Sequence, residues 1–131
     1  MHNPALPNAR KLFPKSRRLL RHADFDRVYK QGRRHFAAHM TVFYLHRPDQ
    51  ETPKGLRVGF TVGKVLGGAV QRNRMKRRLR EAVRLAVQPN LAVDVVVNPK
   101  KSVLDAEFTQ LQSELKRAFE VIQHSVGARG K

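Results

Sequence analysis

Between Arg72 and Val87 the chain reads RNRMKRRLREAVRLAV, and its apolar residues keep one spacing. Met75, Leu79, Ala82, Val83 and Ala86 fall at i, i+4, i+7, i+8 and i+11. Only a helix of 3.6 residues per turn stacks those positions into one stripe. Such a helix gains its stability from the cover over its stripe, so a second layer of structure must lie against it. Pro89 ends the pattern, because proline lacks the donor that would continue it.

Strand-like segments supply that layer. Met40 to His46 is rich in β-branched and aromatic residues. Leu56, Val58, Phe60 and Val62 alternate with Arg57, Gly59, Thr61 and Gly63, a strand with one apolar face. Val93 to Val97 is a short, nearly continuous apolar run, the mark of a buried strand, and Asn98-Pro99 terminates it. One more strand is expected around Phe36. Two further helices complete the chain. Phe25, Val28 and Tyr29 sit at i, i+3 and i+4 in Asp24–Gln31, with Gly32 as the stop and His22 near the N-cap. Leu104, Phe108, Leu111, Leu115, Ala118, Phe119 and Ile122 form a final amphipathic stripe. Pro48–Pro53 reads as a polar turn. The expected class is an α+β two-layer sandwich, helices against a small sheet. With 131 residues, one domain is expected, spanning 15–126 between a flexible arm at 1–14 and a flexible tail at 127–131.

The charge decides what kind of partner this fold meets. Lys and Arg number 27 against 10 Asp and Glu, a net charge of +17. That excess repels itself unless an anion neutralises it. With Leu79 as reference and 100° per residue, Asn73, Lys76, Arg77, Arg80 and Arg84 share one flank of the helix. Arg74 and Arg78 lie on the other flank beside Glu81. From Lys64 to Arg84 there are eight Lys or Arg and one acid, so the helix forgoes the mixed-sign pairs of an ordinary solvated surface. A guanidinium takes two phosphate oxygens at once and stacks on bases, which suits nucleic acid. Docking on a membrane is disfavoured, because the apolar stripe is modest in bulk and has neither Trp nor Phe. No apolar run approaches the ~20 residues of a bilayer span, and no secretory signal is evident, so a cytoplasmic protein is expected. The absence of cysteine excludes disulfides and thiolate metal sites.

The segment Lys64…Gly68-Ala69-Val70-Gln71-Arg72-Asn73-Arg74-Met75-Lys76-Arg77-Arg78-Leu79-Arg80-Glu81 resembles the RNR signature of the bacterial ribonuclease P protein component. Two flanking segments match in order and spacing. Asp24-Phe25…Val28-Tyr29…Gly32-Arg33 resembles that family's first helix, and Arg57 to Lys64 the strand leading into the signature. The likeness covers roughly residues 13 to 122. It implies an α-β-β-β-α-β-α fold with a four-stranded sheet and a left-handed βαβ crossover carrying the basic helix. It implies a protein subunit, one per catalytic RNA, that binds that RNA and the 5′ leader of precursor tRNA while the RNA removes the leader. The Mg²⁺ of the reaction would be bound chiefly by the RNA. Carried over by position, Lys64, Arg72, Asn73, Arg74, Lys76, Arg77, Arg78, Arg80 and Arg84 would face RNA. Phe25, Tyr29, Phe43 and Phe60 would line a cleft for the leader, since aromatic faces accept any base. The chain departs from the family at Asn98, where many members have Arg, and at His22, a poorer helix cap than the usual Ser or Asn.

No residue is expected to be catalytic. The acids are scattered, with no carboxylate cluster for a two-metal site. His2, His22, His35, His39, His46 and His124 are spread out. A ribosomal or RNA-chaperone protein, and a nuclease active without RNA, are the alternatives that the charge alone leaves open.

Overall fold

The structure, a computed structural model, describes residues 21–47, 56–86 and 92–129. The expected arm at 1–14, the turn at 48–53 and the stop at Pro89 lie outside the described residues. Along the chain run α1 (His22–Gln31), β1 (Arg33–Phe36), β2 (Met40–His46) and β3 (Arg57–Phe60). A 3₁₀ turn (Lys64–Leu66), α2 (Ala69–Ala86), β4 (Val93–Pro99), a second 3₁₀ turn (Lys101–Leu104) and α3 (Phe108–Arg129) follow. This is the α-β-β-β-α-β-α order, and the α+β class, that the sequence led us to expect.

The four strands form one mixed sheet in the order β1-β2-β4-β3. β1 and β2 are antiparallel, as are β2 and β4, whereas β3 and β4 run parallel. Parallel neighbours need a crossover, and α2 provides it. β4 is therefore a central strand, and Val93, Val95, Val96 and Val97 are all fully buried. That explains its continuous apolar run, because both faces of the sheet are covered there.

The two faces are covered unequally. Met40, Val42 and Tyr44 of β2, Val58 of β3 and Val93, Val95 and Val97 of β4 pack in one core with Met75, Leu79, Ala82 and Val83 of α2. Leu111, Leu115, Ala118, Phe119 and Ile122 of α3 complete that core. These are the two layers anticipated from the helical stripes. On the opposite face, among the described residues, lies α1, where Val28 and Val96 are fully buried and Phe25, Phe43 and Leu45 pack around them.

Several local details differ from the sequence reading. β4 runs through Asn98 and Pro99, expected to end it, because they pair with Thr41 and Met40. β3 stops at Phe60, and α2 starts at Ala69. α1 begins at His22, and the cap position is Arg21, which makes no side-chain cap bond. His22 thus lies inside the helix, and its weakness as a cap is immaterial. Leu104 belongs to a 3₁₀ turn separated from α3, because the backbone amides of Asp105 and Ala106 bond back to the Ser102 carbonyl. α3 continues through Gly127 to Arg129, into the expected flexible tail. A single glycine costs a helix only about 1 kcal/mol relative to alanine.

Gly32 stops α1 for a reason other than a left-handed turn. Its φ is −85°, open to any residue. A Cβ there would lie 2.5 Å from the carbonyl oxygens of both Tyr44 and Val28. The glycine lets the helix end press on the β2 backbone. Gly32→Ala is expected to destabilise the protein by about 1–3 kcal/mol, the usual cost of overpacking. Gly63→Ala, where a Cβ meets nothing within 4 Å, should stay within about 0.5 kcal/mol of the parent. Urea unfolding of the two variants checks this, and equal stabilities would refute the close-approach account.

Candidate nucleic-acid interface

α2 is fixed at its start by the chain that precedes it. Gly67 takes a φ of 135°, a conformation that side chains disfavour. The Gln71 side chain reaches back to accept the Gly68 N–H at 2.8 Å, half of a reciprocal cap. Arg72 Nε donates to the Gly67 carbonyl at 3.1 Å and braces the same turn. With Met75, Leu79, Ala82 and Val83 buried, the polar residues have no choice but the outer surface. Lys64, Asn73, Arg74, Arg77 and Arg80 are exposed, while Arg72, Lys76, Arg78 and Arg84 are partly buried.

The cations divide by what they touch. Arg78 donates through Nη2 to the Ala106 carbonyl and ties α2 to the loop before α3. Arg84 grips Glu81 through Nη2 and through Nε at 3.1 Å. That hydrogen bond holds the Glu81 carboxyl below its usual range and raises Arg84. Glu81 therefore keeps its charge, and its Arg84 partner, throughout the neutral pH range. The sequence had grouped Glu81 with Arg74 and Arg78. Both Arg78 and Arg84 lie three residues from Glu81, but Arg78 is engaged by the Ala106 carbonyl and the carboxylate pairs with Arg84.

The other candidate surface is the sheet face under α1. Strand pairing orders its side chains in rows. Leu45, Asp94 and Arg57 form one, Arg34, Phe43, Val96 and Gly59 the next, and Phe36, Thr41 and Asn98 the outermost. Thr61 extends the outer row, its amide bonded to the Val97 carbonyl. α1 has ten residues, about 15 Å of helix, and its Val28 sits on the Val96 row. In the outer row Phe36 is exposed, whereas Thr41 and Asn98 are partly buried. Tyr29, 37% exposed, stands at this boundary. Its phenol donates to Asn98 Oδ1 at 2.9 Å and so accepts from the Thr61 hydroxyl at 2.6 Å. Its ring meets Phe43 edge-on, with centroids 4.9 Å apart.

The structure thus brings together three of the four expected cleft residues. Phe25 is partly buried against Val28 and Val96, Phe43 is partly buried beside it, and Tyr29 is open. Phe60 does not join them. It pairs with Val97, in phase with Val58, and packs against the α2/α3 core on the far face. Alternation along β3 forbids it from reaching the α1 side. Asn98, where the family pattern led us to question a phosphate contact, orients the Tyr29 phenol.

One group escaped the sequence reading altogether. Asp94 is fully buried. Its Oδ1 accepts from Arg47 Nη1 at 2.5 Å and Arg57 Nε at 2.8 Å. Its Oδ2 accepts from Arg57 Nη2 at 2.7 Å and Arg27 Nη2 at 3.2 Å. Arg27 also reaches Asp24. The partners are remote in sequence, so no spacing could announce them.

Other polar contacts fasten the frame. His39 bonds through Nδ1 to Ser102 Oγ at 2.7 Å, and Glu114 accepts the His39 backbone amide at 3.0 Å and Gln110 Nε2 at 3.0 Å. These join the β1–β2 turn to α3. Burial, with the Arg117 charge second, keeps the His35 imidazole below its ordinary pKa and neutral at pH 7. Among the described residues no three His, Asp or Glu side chains gather as ligands for an ion. No helix among them is long and apolar enough to cross a membrane.

Comparison with known proteins bears on both surfaces. The Ribonuclease P family profile matches residues 13–123. The ribonuclease P protein component of Acidothermus cellulolyticus is 38% identical over 121 residues, 91% of this chain and 98% of the relative. That of Symbiobacterium thermophilum is 41% identical over 108 residues, 81% and 90% of the two chains. A mutant form of the Staphylococcus aureus RNase P protein superposes with a TM-score of 0.73 at 28% identity, covering 93% of this chain and 98% of that one.

Two stability outcomes follow from the polar contacts. Asp94→Asn removes the buried carboxylate charge that Arg27, Arg47 and Arg57 bond and should cost about 3–5 kcal/mol. Lys30→Ala, which removes an exposed pair with Asp26, should cost less than about 0.5 kcal/mol. Arg78→Ala should lose about 1.5–3 kcal/mol with its charged hydrogen bond, whereas Arg77→Ala should not alter stability measurably. Denaturant midpoints decide both comparisons. A stable Asp94→Asn protein would show that the cluster is dispensable.

Proposed function

Because the chain belongs to the ribonuclease P protein family, we propose that it is the protein subunit of ribonuclease P, binding the catalytic RNA through α2 and the 5′ leader of precursor tRNA in the cleft beside α1. The observation that carries this reading is the open aromatic edge of a cleft whose other half is packed. Tyr29 is exposed, yet its phenol is held by two hydrogen bonds and its ring by Phe43. A ring fixed at a solvent boundary loses little entropy when a base stacks on it. Thr61, at the end of that cleft, precedes Lys64 by three residues and the start of α2 at Ala69 by eight, so the two surfaces adjoin along the chain.

In this reading the protein contributes binding and electrostatics. Lys64, Asn73, Arg74, Lys76, Arg77 and Arg80 meet the RNA, while Arg72 and Arg78 hold the helix in place and Arg84 pairs with Glu81 within it, all three also adding charge. Cations near crowded phosphates lower the repulsion that Mg²⁺ otherwise screens. The endonucleolytic step and its Mg²⁺ belong to the RNA subunit, with one protein per RNA, in the cytoplasm. The Mg²⁺ supplies charge neutralisation and an activated water when bound to that RNA. Phe25 supports the cleft from within, and Phe60 supports the core behind it.

The decisive experiment adds the protein to its RNA and a precursor tRNA at low Mg²⁺. Cleavage should be stimulated, and the protein alone should cleave nothing. Arg74→Ala and Arg77→Ala should each weaken RNA binding and flatten its log–log salt dependence by about one unit per lost phosphate contact. Tyr29→Ala should instead narrow the difference in affinity between precursor and mature tRNA. Equal losses for both tRNAs in all three variants would refute the division between an RNA-anchoring helix and a leader cleft.

A further inference from the structure

The aromatic surface continues past the cleft to the edge of the sheet. Phe36, on the edge strand β1, is 70% exposed and belongs to neither core cluster. Nothing in the packing accounts for a phenylalanine there. One cation nonetheless lies against it. Arg34, two residues earlier on the same sheet face, places its guanidinium carbon 5.6 Å from the Phe36 ring centroid and 5.9 Å from that of Phe43. Both distances lie within cation–π range. Phe43 in turn meets Tyr29 edge-on. Tyr29, Phe43, Arg34 and Phe36 therefore form an unbroken series from α1 to the sheet edge.

We propose that Phe36, braced by Arg34, is an additional stacking station for one unpaired nucleobase of the RNA strand in the cleft, lengthening the bound track by one nucleotide beyond Tyr29 and Phe43. This rests on the leader reading given above. An aromatic face beside a fixed cation is what single-stranded nucleic acid selects, the ring taking the base and the guanidinium the adjoining phosphate. Stacking on a ring face is tolerant of base identity, so the station adds affinity without sequence preference. The charge of the edge also favours RNA over a protein occupant. Arg33 and Arg34 are adjacent and exposed, which opposes pairing of this edge with a strand from a second copy. Thr41 and Asn98 complete the same outer row as Phe36, so polar side chains floor the path between Phe36 and Tyr29.

The test uses holoenzyme reconstituted from the full chain and its catalytic RNA. Precursor tRNAs carry leaders lengthened one nucleotide at a time, and their dissociation constants are measured. For the parent, affinity should rise with leader length to a plateau. With Phe36→Ala the plateau should arrive one nucleotide sooner, long leaders should bind about 5- to 50-fold more weakly, and the shortest leaders should bind as before. Phe36→Trp should restore the parent profile, and Arg34→Ala should reproduce part of the Phe36→Ala loss. A Phe36→Ala profile identical to the parent, while Tyr29→Ala is impaired, overturns this inference and leaves the leader reading intact. An equal loss at every leader length overturns it too, because Phe36 then acts on the fold. A free-protein dimer abolished by Phe36→Ala, with leader binding unaltered, would reassign the residue to a protein interface. A parent enzyme indifferent to leader length, with Tyr29→Ala equally indifferent, overturns both readings.

Discussion

The buried carboxylate of Asp94 is the point on which one whole side of this protein turns. Removing a carboxylate from water costs several kcal/mol after all relaxation. Here the cost is offset by hydrogen bonds from three arginines on three different segments. Arg27 belongs to α1, Arg57 to β3, and Arg47 follows β2. One side chain of the central strand thus links the first helix to both strands that flank β4. The apolar contact between α1 and the sheet centres on Val28 and Val96, with Phe25, Phe43 and Leu45 around them, and the Arg27–Asp94 pair adds an ionic tie to that joint. In a chain with net charge +17, guanidinium groups are the abundant material, and a single buried acid suffices to organise three of them.

That joint positions the cleft. The sheet is covered completely by α2 and α3 on one face and partially by α1 on the other. A short helix pinned at the Asp94 row leaves Phe36 of the outer row exposed, with Thr41 and Asn98 partly buried. The Tyr29 phenol then spans the boundary, bonded to Asn98 on β4 and to Thr61 beyond β3. The cleft therefore lies where α1 crosses the sheet, with Tyr29 at its border.

What the sequence disclosed, it disclosed through periodicity. The helical stripe of α2 and the strand at Met40–His46 stand where their spacing put them, and the apolar run Val93–Val97 lies in a strand that continues through Pro99. Which residues meet across strands was illegible, because register depends on partners far away in the chain. Phe60 shows the consequence. Resemblance grouped it with Phe43, yet its phase with Leu56 and Val58, both buried, already aligned it with the core face. Phase within a strand was a better guide than aromatic character. Asp94 and Phe36 were hidden for a related reason. One sits in an apolar run with its partners at 27, 47 and 57, and the other in a four-residue strand too short for any pattern.

The basic motif itself is two things at once. Read as a string, its cations are equivalent. In the fold, Arg72 braces the turn at Gly67, Arg78 fastens the helix to the loop before α3, and Arg84 is engaged by Glu81. Asn73, Arg74 and Arg77 remain on the outer surface. A helix made of mutually repelling cations would be poorly placed to present a fixed pattern of charge to RNA. Spending some of its arginines on its own backbone and neighbours holds the others in register. The density of arginine in the motif thus reflects two requirements, attraction to phosphate and the rigidity that makes the attraction specific in shape.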